Sequence, residues 1–69
     1  MSRSAMVAAN VSAELARQGV SVAVLADRTS LLMSALLRKL NGEVGFTVDE
    51  VDLIAMALGV HVSRLTGNG

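Results

Sequence analysis

Few side chains in this sequence have the type and spacing that chemistry requires. The chain has one histidine, His61, and no cysteine, so these residue types supply no metal-ligand set. Asp49, Glu50 and Asp52 form a carboxylate cluster, but the further ligands of a calcium loop do not follow. Because a nucleophile–base pair and a phosphate-binding glycine loop are also missing, we expect neither an enzyme nor a bound metal or cofactor.

Basic side chains are the remaining groups of interest, and they are unevenly distributed. Residues 1–39 carry five basic and two acidic side chains, whereas residues 40–69 carry one basic and four acidic side chains. The formal net charge is therefore +3 in the first part, −3 in the second and zero overall. A neutral total argues against a purely electrostatic nucleic-acid binder, but it leaves room for one basic face.

Length and composition limit the architecture that can position these groups. Sixty-nine residues make one small domain, 1–69, which we expect to be ordered over about 4–65 with short flexible termini. The chain is 52% apolar and contains no proline, which favours helices. No apolar stretch is long enough to span a membrane and no signal pattern opens the chain, so we expect a cytoplasmic protein.

The apolar spacing predicts an all-α, compact fold of five short helices. We expect helices over about 4–18, 22–28 and 31–40, a fourth that begins after Thr47 and ends at Gly59, and a last turn at 63–65. Ser21 is the predicted N-cap of the second helix, and Thr47 with Glu50 forms a predicted capping box. The predicted core consists of Val11, Leu15, Leu25, Ala26, Leu31, Leu36, Leu40, Val51, Ile54, Ala55 and Leu58.

The second and third predicted helices are short and closely spaced, which is typical of a helix-turn-helix. The segments GVSVAVLADR (19–28), LLRKLNG (36–42) and FTVDEVDLIAMALGV (46–60) resemble the Cro/CI-type, or lambda repressor-like, helix-turn-helix family. In particular, they are similar to small repressor and Cro-like proteins of actinobacterial phages. The resemblance covers about residues 10–65.

The resemblance implies a regulator of transcription that binds double-stranded operator DNA, for which the bacterial cytoplasm is the expected location, with the third helix in the major groove. Because a single domain of this size buries little DNA surface, a homodimer is a further expectation. The implied base-reading positions are Leu32, Met33, Ser34, Leu37 and Arg38. Phosphate contacts are implied at Ser21, Val22 and Asn41, and Arg28 and Lys39 are further phosphate candidates. Arg3 is a candidate for a flexible arm on DNA.

The sequence departs from the family where DNA is usually read. Val22 stands where glutamine is common, and residues 31–35 are LLMSA instead of a polar run. Because Leu32, Met33 and Leu37 form a second apolar stripe, they fit the core, thymine methyl groups, a second copy or another protein. A protein–protein interaction module that uses this stripe is therefore the alternative function.

Overall fold

The computed structural model describes the backbone of residues 3–67 and the side chains of residues 5–67. This part of the chain contains helices and connections but no strand, which confirms the predicted all-α class. The helices are α1 (Arg3–Gln18), α2 (Val22–Thr29), α3 (Met33–Leu40), α4 (Val48–Leu58) and α5 (Ser63–Thr66). The predicted flexible termini fall largely on residues 1, 2, 68 and 69, and the predicted arm concerns the side chain of Arg3. Both predictions lie outside the described residues.

Most helix ends follow the local signals in the sequence. The Ser21 hydroxyl accepts the Val24 N–H at 3.1 Å and so caps α2. At α4, the Glu50 N–H donates to Thr47 Oγ1 at 3.1 Å, and the Thr47 N–H donates to Glu50 Oε1 at 2.8 Å. The predicted capping box is therefore confirmed. Gly59, with φ +66°, takes the left-handed conformation that ends α4 and that a side chain disfavours.

The start of the third helix was predicted two residues too early. Leu31 was expected to open it, but the helix begins at Met33, because Leu32 is extended with φ −66° and ψ 132°. The chain turns at Ser30, which adopts the left-handed conformation with φ 60° although it is not glycine. Thr66, where fraying was predicted, is the last residue of α5.

The core lies between α1 and the four shorter helices. Nine of the predicted core residues are buried, whereas Leu31 and Leu40 are only partly buried at its edge. Val7, Ala8 and Leu65 are buried as well, although the predicted core did not include them. Leu65 is inaccessible to solvent because α5 packs on α1. A helix of four residues is too short for its sequence to predict this contact.

The packing pairs α1 with α3 and α5, and α2 with α3 and α4. The Asn10 side chain fastens α5 to α1 by donating to the backbone carbonyls of Leu65 and Gly67, at 2.9 and 3.0 Å. These contacts leave α3 with one side against α1 and α2 and the other side towards solvent. A membrane-spanning helix is not found in the described part of the chain.

Candidate nucleic-acid interface

A short, internally bonded connection sets the position of α3 relative to α2. It consists of three residues, 30–32, between the end of α2 at Thr29 and the start of α3 at Met33. The buried Thr29 hydroxyl donates to the Leu25 carbonyl at 2.8 Å and accepts the Leu31 N–H at 3.4 Å. Together with the left-handed Ser30, these bonds define the path of the chain into α3.

The outward side of this helix holds five of the predicted site residues. Leu32, Met33, Ser34, Leu37 and Arg38 are all exposed, and we call them the reading face. Leu32, at the N-cap, is 74% exposed, while Met33 and Leu37 are 45% and 41% exposed. Leu36 is completely buried on the opposite side. The structure therefore brings these five residues together on one solvent-facing surface.

The reading face has little hydrogen-bonding capacity. Its two polar side chains are the Ser34 hydroxyl and the Arg38 guanidinium. Arg38 Nε lies 3.9 Å from Glu43 Oε1, and both side chains are more than half exposed. Such an exposed ion pair contributes little because solvent screens it. Arg38 is therefore available to bind an anionic or hydrogen-bond-accepting partner.

Lys39 lies apart from the reading face, although it was a phosphate candidate. Its Nζ contacts Glu50 Oε1 and Oε2 at 2.6 and 2.7 Å, and the two side chains are only 13% and 19% exposed. Partial burial opposes ionisation of Glu50, but hydrogen bonds from Lys39 and the Thr47 N–H outweigh it and lower the pKa of Glu50. This pair links the last turn of α3 to the first turn of α4.

Arg28 also lies away from the reading face. It is exposed in the last turn of α2, and its Nη1 lies 3.5 Å from the Ala57 carbonyl oxygen. Ala57 belongs to the last turn of α4, where unpaired carbonyl groups favour a cation. The contact is at the outer limit of a hydrogen bond and joins α2 to α4.

The remaining predicted phosphate contacts lie at the two ends of the helix pair. Ser21 is exposed and caps α2, and Val22, the first residue of α2, packs partly against the core. The first N–H groups of a helix have no partner within it, so this end is suited to an anion. Asn41 is exposed at the end of α3, and its N–H donates to the Leu37 carbonyl at 2.9 Å.

A second exposed surface was not predicted. It lies on α4 and consists of Val48, Asp49, Asp52, Leu53 and Met56, which we call the acidic face. Val48 and Met56 are 78% and 79% exposed. The predicted core residues of α4 are Val51, Ile54, Ala55 and Leu58. The further apolar residues of this helix could have indicated an exposed apolar surface, because they do not share the inward face.

The carboxylate cluster lies at the start of α4, and His61 lies just before α5. Asp49 and Glu50 stand in the first turn of α4, and His61 Nδ1 accepts the Ser63 N–H at 3.1 Å. Within residues 3–67, no group of three or more histidine, cysteine or acidic side chains is arranged to hold a metal ion.

Searches against family models, curated proteins and solved structures returned no match for this chain.

Proposed function

We propose that this chain is a sequence-specific, double-stranded DNA-binding regulator of transcription, of the repressor or Cro-like kind, that acts in the bacterial cytoplasm. In this proposal, α2 and α3 form a lambda repressor-like helix-turn-helix, and α3 enters the major groove. The observation that carries it is the three-residue connection between two eight-residue helices, followed by an exposed reading face. Such a connection is typical of helix-turn-helix motifs.

The chemistry of the reading face determines which bases it recognises. Arg38 supplies the planar donor pair that binds guanine O6 and N7, and Ser34 supplies a weaker, less selective contact. Leu32, Met33 and Leu37 have no donors, so they pack on thymine methyl groups. The proposal therefore predicts an operator in which guanine lies close to thymines.

Phosphate contacts at the ends of the helix pair would fix the orientation of α3. The N-terminus of α2, at Ser21 and Val22, offers backbone N–H groups, and Asn41 offers a side-chain amide at the far end of α3. Since Lys39 is paired with Glu50, it is not assigned a phosphate contact. A few neutral phosphate contacts predict a shallow salt dependence compared with strongly basic repressors.

A second candidate function is a protein-interaction module that uses the same surface. The observation that favours it is the high exposure of Leu32, Met33 and Leu37, since exposed apolar clusters mark binding sites for proteins. In that case, binding would depend weakly on salt. DNA binding of the proposed kind also weakens only slowly as salt rises, because few of its phosphate contacts are cationic, so an enriched duplex motif and not salt dependence separates the two functions.

The test is selection from a random duplex library at low salt, with Arg38→Ala and Arg28→Ala in parallel. Both variants remove one exposed arginine charge, but only Arg38 belongs to the reading face. We expect Arg38→Ala to erase the guanine in the enriched motif and to weaken binding by about 5- to 150-fold, which corresponds to about 1–3 kcal/mol. Arg28→Ala should preserve the motif.

The outcomes separate the two functions. An enriched motif that depends on Arg38 supports base reading, and an inverted repeat within it indicates a homodimer. Absence of enrichment at low salt refutes the proposal and leaves the interaction module as the better account. Equal losses of DNA affinity in the two variants would indicate that the binding is non-specific charge attraction.

A further inference from the structure

The acidic face of α4 has a composition that points to a specific kind of partner. Three of its five side chains are apolar, two are carboxylates, and none is basic. Among the described residues, two cations contact α4: Arg28 lies near Ala57, and Lys39 pairs with Glu50, which does not belong to the acidic face. An apolar surface flanked by two carboxylates fits a partner that is apolar and carries a cation.

The reading face of α3 has this composition. Met33 and Leu37 are exposed on the same helix as Arg38, and the reading face contains no acidic residue. Glu43 is the nearest carboxylate paired with Arg38, but at 3.9 Å and with both side chains well exposed the pair is readily exchanged. The reading face and the acidic face are therefore both largely apolar, and their exposed charges are opposite in sign.

We propose that the acidic face of one copy binds the reading face of a second copy. Asp49 and Asp52 would pair with Arg38 of the neighbour, while Val48, Leu53 and Met56 would cover its exposed leucines and methionine. Contact of two acidic faces with each other would oppose like charges, so the favoured arrangement is head-to-tail. Because each face has only five residues, the association is weak and dependent on concentration.

This assembly has a consequence for DNA binding, and that consequence rests on the proposed function. A reading face covered by the neighbour's α4 cannot enter the major groove, so assembly and DNA binding compete. One end of each assembly keeps an uncovered reading face, because a head-to-tail contact that does not close leaves both end surfaces unpaired. The self-association itself requires no DNA.

The test measures mass in solution by sedimentation equilibrium over a wide concentration range at low salt. Leu37→Glu disables the reading face, Met56→Lys disables the acidic face, and Val24→Lys is the control because Val24 is also exposed but lies on α2 outside both faces. We expect the wild type and the control to exceed the 7.1 kDa monomer mass as concentration rises. Each face variant by itself should stay monomeric, with helical circular dichroism retained.

Mixing the two face variants is the decisive step. Leu37→Glu keeps an intact acidic face and Met56→Lys an intact reading face, so the mixture should form a one-to-one dimer that grows no further. A monomeric wild type at every concentration overturns the proposal. The proposal is also overturned if the two variants do not pair in the mixture, or if Met56→Lys alone associates as strongly as the wild type. Either result would exclude the contact between α3 and α4.

A DNA-binding measurement keeps this inference separate from the proposed function. If the chain binds DNA as proposed, Met56→Lys should still select the wild-type motif, and Leu37→Glu should bind that motif more weakly. If the library selection finds no motif while the mixed variants still pair, the proposed function fails and the head-to-tail contact stands.

Discussion

The ion pair between Lys39 and Glu50 provides the sharpest test of how α3 is held. Lys39→Met removes the ammonium but keeps much of the apolar stem. Glu50→Gln removes the charge but keeps a residue that serves equally well in a capping box, so the Thr47 N–H retains its acceptor. The two substitutions therefore isolate the ion pair from the start of α4.

The magnitude follows from burial. Removing one partner of a fully buried pair costs about 3–5 kcal/mol, whereas exposed pairs contribute about 0–1 kcal/mol. With side chains 13% and 19% exposed, this pair lies between these limits, and we expect each single substitution to cost about 2 kcal/mol. For a domain of this size, such a loss lowers the melting temperature by roughly 8–16 °C.

The assay is urea denaturation followed by helical circular dichroism, arranged as a double-mutant cycle at neutral pH. The double variant should be less destabilised than the sum of the singles, with a coupling of about 1–2 kcal/mol. The matched control is Arg38→Met with Glu43→Gln, the exposed pair at 3.9 Å, for which we expect almost no coupling. Coupling of the Lys39–Glu50 pair below about 0.5 kcal/mol would refute the reasoning, because independent sites add to within that margin.

Two further predictions concern α1 and its contact with α5. Hydrogen bonds from Arg17 and Gln18, with added attraction from Arg17 and Arg64, lower the pKa of Glu14 from 4.5 to about 2. Because the unfolded chain binds the proton more readily, the stabilisation from Glu14 should be fully present above pH 4.5 and be lost as the pH falls towards 2. When the free energy of unfolding is measured against pH, Glu14→Gln should give a flatter profile than the wild type. Identical profiles would contradict the assignment. Leu65→Ala, which empties a fully buried position in α5, should cost about 2–5 kcal/mol in urea denaturation. The 79% exposed control Met56→Ala should change stability by less than about 0.5 kcal/mol, and similar costs would contradict the docking of α5.

The sequence predicted well those features that are decided within a few residues. The Ser21 cap, the capping box of Thr47 and Glu50, and the helix end at Gly59 each depend on neighbours in the chain. The early start assigned to α3 shows the limit of this reasoning. Leu31 begins an apolar run that resembles the start of a helix, and Ser30 takes the left-handed conformation although glycine is the usual residue there.

Features that depend on distant residues were not predictable in the same way. Lys39 is basic and near the end of α3, so its type suggested a phosphate contact, but its partner lies eleven positions further along the chain. Glu14 is buried beneath Arg17 and within 3.7 Å of Arg64 on α5. The type of a charged side chain does not specify whether it contacts solvent, a ligand or an opposite charge, because these contacts depend on how the helices pack.

The two apolar stripes of α3 show what the tertiary structure adds to the sequence. A helix packed on one side can bury only one stripe, and the contacts with α1 and α2 bury Leu36 while they leave Met33 and Leu37 exposed. Burial in the core, one of the four sequence-based explanations for the second stripe, is thereby excluded for these residues. An exposed apolar stripe costs solubility unless something binds it. Its partner must therefore be sought outside the monomer, in DNA, a second copy or another protein.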